Sequence, residues 1–181
     1  GFMGKHTNII DPQSGSYFFL GSLFIDLDLA IDAPFEKNHC GSCTACMTAC
    51  PTDAIIAPYQ LDARKCISYL TIEHKGSIDK KYRKAIGNRI FGCDDCQLYC
   101  PFTKFTKTTK EPGFLQERGF KNPDLLELWE WDYDTFIKNT LQSPIKRIGY
   151  ERWLRNLAIG LGNAPKSHKI LHALKKRTNY P

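Results

Sequence analysis

Eight cysteines carry most of the chemistry that this chain can do. Four fall in one run, Cys40-x2-Cys43-x2-Cys46-x3-Cys50-Pro51. Three form a second, Cys93-x2-Cys96-x3-Cys100-Pro101, and Cys66 stands alone between them. Three thiolates at x2 spacing wrap one face of an iron–sulfur cubane and leave backbone amides free to donate to its sulfides. The x3-Cys-Pro step then turns the chain away, so the fourth cysteine of the run serves the other cluster. On this spacing the first [4Fe-4S] cluster takes Cys40, Cys43, Cys46 and Cys100. The second takes Cys50, Cys93, Cys96 and, by elimination, Cys66, and no thiol is left over. Zinc is the competing metal, but its Cys-x2-Cys sites use two separated pairs per ion, not a packed triple. With every thiol consumed, none remains for nucleophilic or dithiol redox work. Two cubanes crossed in this way lie close enough to pass electrons, so the pattern reads as an electron wire.

The elements that must position these cysteines are short. Residues 36–103 show little periodicity apart from "ARKCISYLTIEHK", which reads as a short helix, so the metal rather than a large apolar core is expected to organise the fold there. Residues 1–35 read as a loop followed, in "SYFFLGSLFIDLDL", by one or two short strands broken at Gly-Ser. Residues 104–123 are polar and turn-rich, a linker. Leu125, Leu126, Leu128, Trp129 and Phe136 predict one amphipathic helix and a following turn over 124–140.

In "SPIKRIGYERWLRNLAIGLGNAP", Ser143 is placed as an N-cap and Pro144 in the first helical turn. Ile145, Ile148, Leu154, Leu157, Ala158 and Leu161 recur at helical spacing, "GNAP" stops the helix, and "SHKILHALKKR" restarts it with Ile170, Leu171 and Leu174 inward. This is a helical hairpin of HEAT-like form, too short to be an array. It leaves Lys146, Arg147, Arg152, Arg155, Lys166, Lys169 and Lys175 along exposed faces.

The formal charge is +6, unevenly spread. Residues 141–181 hold nine Lys or Arg against one acid, Glu151, whereas "DLLELWEWDYD" at 124–134 holds five acids and no base. A basic C-terminal module points to a polyanion, with nucleic acid the leading partner, against the plainer reading of a solvated helix face. No apolar run reaches the roughly 18–20 residues of a membrane span, since three aspartates interrupt "SYFFLGSLFIDLDLAIDAP". No apolar signal-peptide core follows the basic start, so the cysteines are expected in a reducing compartment rather than in disulfides. The opening "GFMGKHTNIID" has no initiator methionine and reads as the start of a fragment whose N-terminal part is missing.

Several stretches together carry a family resemblance: "GFMGKHTNII", "CGSCTACMTACPTDAI", "LDARKCISYLTIEHKG", "IGNRIFGCDDCQLYCPF" and "SPIKRIGYERWLRNLAIGLGNAP". They resemble the bacterial tRNA epoxyqueuosine reductases over residues 1–165. The resemblance implies an α+β fold: the end of an α/β cobalamin-binding domain (1–35), a ferredoxin-like two-[4Fe-4S] domain (36–105), a linker and amphipathic helix (106–140), and a HEAT-like, tRNA-binding hairpin (141–181). It implies a cytoplasmic, cobalamin-dependent oxidoreductase that reduces epoxyqueuosine at the tRNA wobble position to queuosine, the last step of queuosine synthesis. Ser68 and Asp94 match positions that approach the corrinoid. His74 and Lys75 match the substrate side, where a local hydrogen bond is the plainer role for His74. Lys146, Arg147 and Arg155 are the candidate phosphate contacts. The implied partners are an epoxyqueuosine-bearing anticodon stem-loop and an external electron donor, with a monomeric protein and no membrane. The family's proton-donating acid lies upstream of Gly1, so this stretch alone is expected to be inactive. A plain ferredoxin-type electron carrier and a reductive-dehalogenase-like corrinoid enzyme are the rival readings. "GFMGKHTNII" and the basic hairpin speak against the ferredoxin, and the dehalogenases usually carry an export signal and lack a basic helical tail.

Overall fold

Pro51 and Pro101 end the two cysteine-bearing helices, α1 (Ala45–Ala49) and α4 (Asp95–Leu98). A proline ring clashes with a helical residue before it. Cys50 (φ −70°, ψ 114°) and Cys100 (φ −71°, ψ 128°) are accordingly both extended. The N-caps match as well: Thr44 has φ −125° and ψ 11°, and Asp94 has φ −112° and ψ 13°. Residues 44–51 and 94–101 thus trace the same path twice, and α1 packs against α4.

The computed structural model describes residues 1–115, 120 and 122–178. It divides into a first unit, residues 1–62 with 94–109, and a second, residues 63–93 with 110–181. Residues 36–105 therefore contribute to both.

In the first unit, β1 (Phe2–Met3) and β2 (Ile9–Ile10) form an antiparallel hairpin, as do β3 (Ile55–Ala57) and β4 (Gln60–Leu61). Phe2, Ile10, Cys46, Ala54 and Ile55 are its buried apolar residues, and the Phe2 ring meets His39 and Phe102 at centroid distances of 5.4 and 5.5 Å. The strands expected in "SYFFLGSLFIDLDL" do not form. Residues 16–39 contain no strand, and Phe19 (88% exposed), Phe24 (99%) and Ile31 (98%) stand open. A strand is stable only when its edge groups are paired, and among the described residues no β-ladder includes this segment.

The second unit is helical: α2 (Ile67–Ile72), α3 (Lys80–Ile86), α5 (Leu125–Trp129), α6 (Tyr133–Thr140), α7 (Gly149–Asn163) and α8 (His168–Lys176). Its larger core gathers on the fully buried Trp153 of α7, which stacks on Trp131 at 5.7 Å and meets Phe136 at 5.6 Å. A smaller core joins Ile67, Leu70, Ile78 and Ile86.

Three expectations need correction here. Residues 124–140 form two helices, not one, because Asp132 accepts the Thr135 N–H at 2.8 Å and starts α6, a role aspartate fills better than a mid-helix position. Ser143 does cap and Pro144 does follow, but they open a 3-10 turn (Pro144–Ile148), and Gly149 at φ 72° ends that turn and starts α7. On α8, Leu171 is 53% exposed and Ala173 is buried in its place, where the Trp129 indole donates to the Ala173 carbonyl at 3.1 Å and ties that face of the helix to the core. The linker positions 116–119 and 121 lie outside the described residues.

Candidate metal centre

The loop of the β1–β2 hairpin, Gly4–Asn8, faces the first cysteine run. Gly4 N–H donates to the Asn8 carbonyl and Thr7 N–H to the Gly4 carbonyl, both at 2.9 Å. The loop is tight enough to hold Thr7 at φ 70°, an uncommon conformation for a β-branched residue. It turns Lys5 and His6 inward. Together with Cys40, Cys43, Cys46 and Cys100, they line a cavity of about 90 Å³.

Each cysteine of this group comes from a different local device. Cys40 N–H donates to Asn38 Oδ1 at 2.9 Å, Cys43 N–H closes a turn on the Cys40 carbonyl, Cys46 rides on α1, and Cys100 precedes Pro101. Burial, then the neighbouring thiols Cys40, Cys100 and Cys43, pushes the Cys46 thiol up; burial is also the main cause for Cys100, with Cys40 and Cys43 adding to it. Four thiolates can coexist here only against cationic charge. Among the described residues no three His, Cys, Asp or Glu converge on a single-ion site. The thiols instead ring a cavity, the arrangement that a multi-iron cubane needs.

Two further groups fit such a cluster. Lys5 Nζ is nearly buried and donates to the carbonyls of Gly41 (2.6 Å) and Cys43 (2.8 Å), which fixes a positive charge against the cysteine loop. His6 is 3% exposed, and its Nδ1 accepts the Asn8 N–H at 3.1 Å, so the ring proton sits on Nε2. Burial lowers the His6 pKa and keeps the ring neutral. Nε2 is buried with no partner among the described residues. An orphaned donor at that depth costs about 1–3 kcal/mol, so the cavity calls for an acceptor. The sequence reading missed both residues, although they lie inside the quoted "GKHT". The cue would have been a basic pair in a tight glycine loop, which says nothing by itself about where the loop faces.

Of the other cysteines, Cys50 and Cys96 belong to the first unit and Cys66 and Cys93 to the second. Cys50 Sγ accepts the Ala54 N–H at 3.3 Å, Cys66 precedes α2 as its N-cap, and Cys93 packs against the smaller core. Ser68 is half-buried on α2, and Asp94 is exposed at the head of α4. His74 Nε2 sits 3.2 Å from the Ser77 carbonyl, a local contact. Lys75 is exposed beside Gly149, Tyr150 and Arg152 on the rim of a cavity of about 490 Å³. Lys146 is exposed, and Arg147 is ion-paired with Glu73.

Arg155 and Arg152 do not lie along a free face. Arg155 donates from Nη1 to the carbonyls of His74 (2.7 Å) and Gly76 (2.8 Å), from Nη2 to Leu70 O (2.8 Å), and from Nε and Nη2 to Asn156 Oδ1. Arg152 Nη1 reaches the Ile72 carbonyl at 2.7 Å, and Asn156 donates to Thr71 O and Ile90 O, both at 2.8 Å. Helix α2 ends at Ile72 with its last carbonyls unpaired, and side chains of α7 cap them, with the cations at the negative end of the helix dipole. Burial, then the charge of Arg152, lowers the Arg155 pKa to about 10. Arg155 is therefore withdrawn as a phosphate contact: its five donors are already used within the second unit.

Residues 39–103 match the family model of a 4Fe-4S double cluster binding domain. The whole chain is 51% identical over 181 residues to an epoxyqueuosine reductase of Pseudomonas aeruginosa, covering 50% of that protein. It is 56% identical over 177 residues (98% of this chain) to the one from Xanthomonas campestris pv. campestris, again covering 50%. Over its whole length the chain is similar to epoxyqueuosine reductases. It spans about half the length of the curated relatives it matches. Among solved structures, the epoxyqueuosine reductase of Bacillus subtilis superposes with a TM-score of 0.86 at 34% identity, over 99% of this chain and 46% of that one. An epoxyqueuosine reductase crystallised with an epoxyqueuosine-modified tRNA stem loop superposes at 0.82 and 32% identity, over 97% and 46%. The four thiols that ring the cavity all lie within the stretch that matches the double-cluster domain.

Proposed function

We propose that this chain is the electron-delivering part of an enzyme that reduces epoxyqueuosine at the wobble position of tRNA to queuosine. The observation that carries the reading is the cavity ringed by Cys40, Cys43, Cys46 and Cys100, in a chain more than half identical to reductases of that name. These four would hold one [4Fe-4S] cluster, and Cys50, Cys66, Cys93 and Cys96 the other. Bound cobalamin, beside Ser68 and Asp94 and held mostly by an α/β domain, would supply the low-potential chemistry for loss of the epoxide oxygen. The chain's own residues exclude water from the first cluster, hold Lys5 against its loop and pass single electrons inward.

The HEAT-like hairpin would present Lys146 and Arg147 to the phosphates of an anticodon stem-loop, with His74 and Lys75 on the substrate side. Such a target is cytoplasmic, and its single-stranded wobble base is cheap to extrude. An external donor feeds the clusters, and one protomer suffices.

Anaerobic loading of the holoenzyme with iron, sulfide and cobalamin, followed by mass spectrometry of tRNA nucleosides, should show queuosine replacing its epoxide. Persistence of the epoxide with all three loaded would sink the proposal. Lys146→Gln should weaken stem-loop binding several-fold and reduce the slope of log affinity against log salt by about 1. An unchanged slope removes Lys146 from the interface.

A further inference from the structure

We propose that His6 donates an Nε2–H hydrogen bond to a sulfur of the first cluster and thereby raises that cluster's reduction potential. The inference rests on the reading of Cys40, Cys43, Cys46 and Cys100 as cluster ligands. Four observations converge on it. His6 shares the cavity with those four thiols. Its Nδ1 is occupied by the Asn8 amide, which leaves the proton on Nε2. That nitrogen is buried with no partner among the described residues. Of the other basic side chains lining the cavity, Lys5 already spends its ammonium on the carbonyls of Gly41 and Cys43, and His39 packs its ring against Phe2, Phe35 and Phe102. The buried donor left without a partner among these lining residues is therefore His6 Nε2.

The loop is shaped to keep the ring in place. A Cβ on Gly4 would lie 2.9 Å from His6 Cε1 and 2.6 Å from Ile10 Cδ1, so only glycine lets the ring lie flat against the hairpin. The Asn8 amide fixes the ring about its own axis. A donor held this rigidly favours whichever cluster state carries more negative charge on sulfur. Reduction adds one electron, supplied by the external one-electron donor, and breaks no bond. His6 keeps its proton throughout, so this is a positioning and tuning role. Hydrogen bonds to sulfur are among the factors that set cluster potentials.

The test uses the anaerobically prepared holoprotein and its His6→Phe variant, which keeps a ring and removes the donor. Both should contain about eight iron and eight sulfide per chain. In a redox titration followed by electron paramagnetic resonance, the variant's first cluster should be harder to reduce by about tenfold in the reduced-to-oxidised ratio, about 59 mV for one electron. The first cluster is the signal that Cys100→Ala removes. The second cluster should not move. On the unsubstituted protein, electron–nuclear double resonance of the reduced first cluster should show an exchangeable proton coupling and a histidine nitrogen coupling that disappear on His6→Phe. This measurement stands even if the variant folds poorly. An unshifted potential together with no exchangeable coupling in the parent protein overturns the role of His6 and leaves the clusters intact. Zinc without sulfide in the parent protein overturns the cluster reading itself, and His6 with it.

Discussion

Cys100→Ala should cost the holoprotein about half its iron and sulfide, roughly four of eight each, and leave one cluster spectrum intact. Turnover should fall to background, because electrons then have no continuous route. The informative comparison is with two other variants. Cys43→Ala should remove the same spectrum as Cys100→Ala, although the two cysteines lie far apart in the sequence. Cys50→Ala, only seven positions from Cys43, should remove the other. A local scheme, in which Cys40, Cys43, Cys46 and Cys50 share one cluster, predicts the reverse grouping. The cavity that places Cys100 beside Cys40, Cys43 and Cys46, with Cys50 outside its lining, favours the crossed scheme. If Cys43→Ala and Cys50→Ala erase the same signal, that scheme is wrong and the first cluster must be reassigned.

What could be read in advance divides by physical cause. The cysteine spacing is legible because coordination chemistry restricts it: thiolates two and three residues apart reach one cubane, and a following proline must turn the chain. The N-cap at Ser143, the stop at "GNAP" and the restart in "SHKILHALKKR" are legible because unpaired helix-end groups demand local partners. His6 was not legible, because nothing in "GKHT" states which way a hairpin loop faces. The strands expected from "SYFFLGSLFIDLDL" failed for the opposite reason. Alternation gives a side-chain period but not a pairing partner, and its apolar residues stand exposed. Arg152 and Arg155 failed because charge counts treat every cation as solvated, whereas the carbonyl end of a neighbouring helix competes for guanidinium donors as strongly as water does.

That last point carries a large expected effect of its own. Arg155→Ala should lower the stability of the protein by about 2–4 kcal/mol, since three backbone carbonyls and the Asn156 amide oxygen lose charge-assisted bonds at a half-buried site. For a unit of this size the thermal midpoint should drop by roughly 10–20 °C. Arg155→Lys should recover only part of the loss, because an ammonium is a point donor and cannot span Leu70, His74 and Gly76 as the planar fork does. Asn156 accepts from Arg155 and donates to Thr71 and Ile90, so Asn156→Ala should be less than additive with Arg155→Ala, with a coupling of about 1 kcal/mol or more. A phosphate contact predicts the opposite pattern. In that case both arginine variants would melt near the parent midpoint, and the salt slope of stem-loop binding would fall by about 1 for Arg155→Ala. The capping role requires a slope unchanged in any Arg155→Lys protein that remains folded at the assay temperature. A reduced slope with an unshifted midpoint would return Arg155 to the tRNA interface and leave the carbonyls of Leu70, His74 and Gly76 to water.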